Sequence, residues 1–257
     1  MAGNIGQALL LTTVAGLATG VGSIIAFFIK KPKTSYLSFS LGFSAGVMIF
    51  ISFAELLSEA VAGAGKIWGF GGFFIGIVFI GIIDRLVPEV VNPHHVDVAS
   101  YVSEAGTDEA IMKTGIPTAL AIAIHNFPEG LVTFGTALTD VKLGAITAFA
   151  IAIHNIPEGV SVSVPIFYAT GNRKKAFLWS FLSGATEPVG ALVGFLLLMP
   201  FLTEKLLAPL LAVIAGIMVY ISLDELIPMA HRYGHGHIAM FGVVLGMFIM
   251  ALGLLMF

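Results

Sequence analysis

Long apolar stretches recur along the whole chain, separated by short polar breaks. A membrane span takes about 20 mostly apolar residues. Eight segments reach that length: 5–29, 36–60, 67–87, 115–138, 144–168, 175–200, 207–230 and 238–255. They are too long, and alternate too little, for barrel strands of about 9–11 residues. The pattern predicts an all-α membrane protein of eight transmembrane helices in one domain, residues 1–257, with one long connection at 88–113.

Two of the segments are interrupted in the same way. AIAIHNFPEG (121–130) and AIAIHNIPEG (150–159) match at nine of ten positions. The connection between them is short, so the two helices should run antiparallel. Identical motifs at the middle of antiparallel helices imply a two-fold axis in the membrane plane. Such inverted repeats typify transporters, with the site at the midplane. A second repeat is more distant. AGVMIFISFAELLSEA (45–60) aligns without gaps with AGIMVYISLDELIPMA (215–230), sharing Met48/Met218, Ser52/Ser222 and Glu55/Glu225. The two segments are predicted to run in opposite directions. That puts Glu55 at the outer mouth of a path and Glu225 at the inner mouth.

The doubled motif carries chemistry. Residues four apart share a helix face, so His125 points with Glu129 and His154 with Glu158. Asn126 and Asn155 sit about 100° round and reach a neighbouring position. Pro128 and Pro157 cannot donate to the carbonyls of Ile124 and Ile153. Each helix should bend there and free a carbonyl, which membrane depth tolerates only inside protein or beside a hydrated cavity. Glu187, in GATEPVG, adds a carboxylate mid-way along the sixth segment. A charged side chain at the bilayer centre costs about 2.5–3.5 kcal/mol on insertion scales. No Lys or Arg lies within a segment's interior to pair with these glutamates. Protons or a cation remain. Imidazole with carboxylate suits Zn(II), and the amide oxygens keep Fe(II), Mn(II) and Co(II) open. Lone polar residues in spans also serve as glue between helices; two copies with a third carboxylate go beyond that role. Met48 divides between packing and ligation. The pairs Gly42/Gly46, Gly72/Gly76, Gly190/Gly194 and Gly242/Gly246 read as close helix packing.

Composition sharpens the picture. The chain is 58% hydrophobic and 11% charged, against about 45–50% and 25% in soluble domains, which excludes a soluble fold. A net charge of -3 offers nothing to nucleic acid. The absence of Cys excludes disulfides and thiolate metal sites. No basic residue precedes Lys30, so the first apolar segment reads as a span and not as a signal peptide. The basic residues also orient the chain. Lys30, Lys31, Lys33, Arg85, Lys113, Arg173, Lys174, Lys175 and Arg232 fall on one side, and only Lys66, Lys142 and Lys205 on the other. By the positive-inside rule both termini face outside. His94 and His95 in the long connection, and His231, His235 and His237 in HRYGHGH, then face inside, where they either catch metal or sit solvated.

Paired HNxPEG motifs, the central Glu187, eight spans with outside termini, LGFSAG (41–46) and DELIP (224–228) together resemble the ZIP (Zrt/Irt-like) divalent-metal transporters, in particular their bacterial zinc-uptake branch. The resemblance covers the whole chain. It implies a mid-membrane centre of two metal positions. His125, Glu129, His154 and Glu158 would form the main one, with Met48 contributing. Asn126, Asn155 and Glu187 would form the adjoining one, bridged by Glu129 and Glu158. It implies import of Zn(II) as transported substrate, with no resident cofactor, across the bacterial plasma (inner) membrane. It further implies movement of spans one, four, five and six against two, three, seven and eight, within a homodimer. Divalent ions and the lipid bilayer would be the partners. The long histidine-rich loops of some relatives are missing here. The rival reading is an intramembrane metal-dependent hydrolase, with a zinc-bound water and a glutamate base. Against it, HExxH is absent, and the ligand types are duplicated by symmetry where catalytic zinc keeps an asymmetric open position. A passive cation channel would share the same residues.

Overall fold

The computed structural model describes residues 4–28, 33–86, 108–198 and 204–256. Among them there are helices and turns but no strand, as the apolar pattern predicts. The helices are α1 (Ile5–Ala26), α2 (Thr34–Ile51), α3 (Leu57–Ala64), α4 (Lys66–Leu86), α5 (Asp108–Thr139), α6 (Val141–Thr170), α7 (Arg173–Gly184), α8 (Thr186–Leu198), α9 (Glu204–Ile221), α10 (Ile227–Arg232) and α11 (Gly236–Met256). Two π-helical turns, Ser52–Leu56 and Ser222–Leu226, join α2 to α3 and α9 to α10. Ala185 alone separates α7 from α8. Seven of the resulting rods are long and apolar enough to cross a membrane by length and composition. The other is α5, 32 residues long, which carries the first motif copy.

The connections explain the up-and-down course. Asp140 is the only residue between α5 and α6. Its carboxylate accepts the N–H groups of Lys142 and Leu143 at 2.6 and 3.1 Å, capping α6. Ala137 of α5 abuts Gly144 of α6 beside this turn, as an antiparallel hairpin requires. At the far end of α6, Gly171 takes φ 61°, the left-handed C-cap that favours glycine. Asn172 then caps α7 by accepting the Lys175 N–H at 3.1 Å. Helix α5 begins at Asp108, within the stretch 88–113 that the sequence assigns to a connection. His94 and His95 lie outside the described residues.

The bundle is apolar outside and polar within. Leu10, Val14, Leu17 and Val21 form an exposed stripe on α1. Phe70, Phe74, Val78 and Ile82 do so on α4, and Phe241, Val244, Phe248 and Leu252 on α11. Asn126, Glu129, His154, Asn155, Glu158 and Glu187 are all buried. Water would penalise such extended apolar faces, whereas hydrocarbon accepts them.

Glycines set the helix contacts. A Cβ on Gly46 of α2 would overlap the Val243 carbonyl of α11. One on Gly76 of α4 would overlap the Val213 carbonyl of α9. Gly22 of α1 meets the Ile156 carbonyl of α6 in the same way, and Gly190 of α8 the Phe127 carbonyl of α5. Small residues allow this approach where no hydrophobic effect drives helices together. The contacts also disclose the repeat. Gly76 against Val213 recurs as Gly246 against Phe43, and Gly46 against Val243 recurs as Gly216 against Phe73. Both partners shift by the same number of residues each time. The π turns obey the same relation: Ser52 donates to the Met48 carbonyl at 2.7 Å and Ser222 to the Met218 carbonyl at 2.8 Å. The similarity between 45–60 and 215–230 is therefore structural. An operation that exchanges the antiparallel α5 and α6 has its axis perpendicular to them, hence in the plane of a membrane they cross.

Candidate metal site

The two motif copies meet inside the α5–α6 hairpin. His154 Nε2 of α6 lies 3.2 Å from Glu129 Oε1 of α5, both side chains buried. The sequence pairs each histidine with the glutamate of its own helix. In the folded bundle a histidine of one copy faces the glutamate of the other. His125 lies on α5, but its side chain is outside the described residues.

Asn155 turns the other way, as its angular position predicts. Its Nδ2 donates to the Ala15 carbonyl of α1 at 2.9 Å and also to Glu187 Oε1 of α8. Asn126 Nδ2 donates to the Ser183 carbonyl of α7 at 3.3 Å. Glu187 falls mid-way along the span Arg173–Leu196, as the sequence suggests. It stands in the first turn of α8, just after the break at Ala185. Pro188 accounts for the break, since it cannot donate to the Gly184 carbonyl. The placement suits a buried carboxylate, because the helix N-terminus favours negative charge.

Glu158 receives a partner the sequence did not flag. Ser44 of α2 donates its hydroxyl to Glu158 Oε1 at 2.7 Å, with both residues fully buried. Met48 is buried one turn farther along α2. The usable signal was its spacing, since Ser44 stands four residues before Met48 on one face. Glu55 and Glu225 occupy equivalent places inside the two π turns and are half-buried. His235 Nε2 lies 2.9 Å from Thr34 Oγ1, and His231 Nδ1 lies 2.9 Å from the Ile227 carbonyl.

The motif glycines also acquire a reason. A Cβ on Gly130 would overlap the Glu187 carbonyl, and one on Gly159 the Thr19 carbonyl. The last letter of HNxPEG thus lets α8 and α1 press against the motif helices.

The donor and acceptor balance of this centre favours a cation. Asn126 Oδ1, Asn155 Oδ1 and Glu129 Oε2 are buried with no hydrogen-bond donor. An unsatisfied buried acceptor costs about 1–3 kcal/mol, and a positive ion would relieve any of them that it reaches. Among the described residues, the Lys and Arg side chains stand near helix ends or in connections. Among the described residues no three His, Asp or Glu side chains converge in ligating geometry. The described pair is Glu129 with His154.

Comparison with known proteins identifies the family. The family model described as ZIP Zinc transporter matches residues 103–253. Zinc transporter ZupT of Lysinibacillus sphaericus is 55% identical over 267 aligned positions, covering 100% of this chain and 99% of the relative. Zinc transporter ZupT of Clostridium perfringens is 51% identical, covering 99% of this chain and 97% of the relative. That of Streptococcus mutans is 48% identical, covering both chains completely. With a family model over more than half its length and relatives matched end to end, the chain belongs to the ZIP family of zinc transporters.

Proposed function

We propose that the chain is a ZIP-type importer that carries Zn(II), and related divalent ions such as Fe(II), Mn(II) and Co(II), across the plasma membrane into the cytoplasm. The observation that carries this reading is the contact between Glu129 and His154 across two copies of one motif, beside three buried oxygens without donors. In this reading His125, Glu129, His154 and Glu158 hold the ion, with Met48 adjoining. Asn126, Asn155 and Glu187 form the neighbouring position. Glu55 draws cations at the outer mouth and Glu225 passes them on at the inner one. Metal binding requires neutral imidazole, so proton uptake by His154 would assist release.

The proposal extends to topology. Residues 1–257 form a single ZIP-type domain of eight spans in a bacterial plasma membrane, with both termini outside. The sidedness of Lys and Arg supports it. Homodimers are part of the reading as well, and the apolar face of α4 leaves room for one. The hydrolase alternative finds no support in a family of transporters.

The test is zinc flux into proteoliposomes. Wild-type protein should accumulate zinc with saturation, and His154→Ala should lose that flux. Undiminished flux in the variant would overturn the site assignment, and a rate linear in zinc would favour a channel.

A further inference from the structure

We infer that Ser44 is a positioning residue for the Glu158 carboxylate, holding it in place from a helix that carries none of the motif. The inference rests on the reading of Glu158 as a metal ligand. It starts from one hydrogen bond, Ser44 Oγ to Glu158 Oε1 at 2.7 Å, between two side chains with no solvent exposure. An O–H to carboxylate bond is charge-assisted and stronger than a neutral one.

The donor is firmly placed. Ser44 stands between Gly42 and Gly46, whose Cα atoms press on the Ala239 and Val243 carbonyls of α11. Backbone-to-backbone contact on one face of α2 leaves the opposite face little freedom to slide. Ser44 therefore presents its hydroxyl from a fixed wall.

The internal repeat shows that this bond is not a general feature of the fold. The relation that carries Met48 to Met218 and Gly46 to Gly216 carries Ser44 to Ile214. Ile214 is buried in the corresponding wall, α9, and has nothing to donate. The glutamate of the other copy, Glu129, accordingly keeps an oxygen without a donor. A second break in symmetry acts on the same copy. Gly159 presses on the Thr19 carbonyl where Gly130 presses on that of Glu187, so Thr19 replaces Glu187 in the other half. Asn155 is thereby joined to Glu187, while Asn126 finds only a backbone carbonyl. The α6 copy has its Asn and Glu both tied to side chains of neighbouring helices. In the α5 copy Glu129 meets His154 of α6, and Asn126 reaches only a backbone carbonyl. Ser44 thus makes two like-named glutamates unequal: Glu158 accepts a hydroxyl from α2, while Glu129 meets His154 and keeps its other oxygen without a donor.

Partners that orient a metal ligand typically change affinity by about 10–100-fold when removed. The experiment is zinc uptake by the full chain in proteoliposomes, comparing wild type, Ser44→Ala, Ser44→Thr and Glu158→Ala. Ser44→Ala should raise KM for zinc about tenfold or more, with the maximal rate nearly unchanged. Ser44→Thr keeps the hydroxyl and should restore KM to near the wild-type value. An unchanged KM in Ser44→Ala, with Glu158→Ala inactive, overturns the role of Ser44 alone. Equal rises in KM for Ala and Thr overturn it too, since packing would then be the cause. Wild-type flux in Glu158→Ala overturns the metal-site reading beneath it.

Discussion

At the scale of single residues, the six letters of HNxPEG divide their labour. His154 of one copy and Glu129 of the other face each other at 3.2 Å. Asn reaches sideways to neighbouring helices, and Gly admits those helices to contact. Asn155 is the residue whose loss should be felt farthest. Its amide serves both the Ala15 carbonyl and Glu187 Oε1, and Asn155→Ala strips a donor from each. A cost of about 1–3 kcal/mol is expected, read as a lower melting temperature in detergent together with reduced zinc uptake. Unchanged melting would mean that Glu187 finds another donor. The facing of His and Glu was legible from their four-residue spacing, because helical geometry fixes it. Ser44 was not, since a lone Ser in an apolar helix usually bonds its own backbone, as Ser52 does to Met48. Nor was the pairing across copies, which depends on how deeply the hairpin is set.

At the scale of elements, the rods follow the apolar segments while their irregularities escape the pattern. These helices are apolar nearly all round, so an extra residue disturbs no visible stripe. Hence the π turns at Ser52–Leu56 and Ser222–Leu226 were unmarked, although the repeat that contains them was visible. The break at Ala185 was signalled by Pro188, which the sequence reading took only as part of a motif around Glu187. The glycine pairs were legible as packing, and α4 offers a clean comparison. A Cβ at Gly76 would collide with the Val213 carbonyl, whereas Gly71 has nothing within 4 Å. Gly76→Ala should destabilise by about 1–3 kcal/mol, the usual cost of overpacking, and Gly71→Ala should not. Thermal unfolding in one detergent measures both. Equal melting of the two variants would contradict the close α4–α9 contact.

For the whole molecule, two structural repeats flank a hairpin that carries the motif twice. That plan was largely legible, because both repeats survive as sequence identity. The unequal surroundings of the two copies were hidden, since they arise from contacts between α2, α6 and α8 that no local pattern records. The same plan predicts sidedness. The chain has no cysteine, so single cysteines report cleanly. Lys142→Cys, at the start of α6, should react with a membrane-impermeant maleimide in intact cells. Lys174→Cys, in the first turn of α7, should react only after the membrane is opened. Both positions are exposed, so reversed labelling would refute the orientation with outside termini.

The central claim is that two copies of one motif build a metal position in mid-membrane. Crystals grown with zinc and measured at the zinc absorption edge test it most directly. The account predicts an anomalous peak beside His154, bounded by Glu129 and Glu158. Zinc bound elsewhere in the bundle, with that position empty at saturating metal, would contradict it.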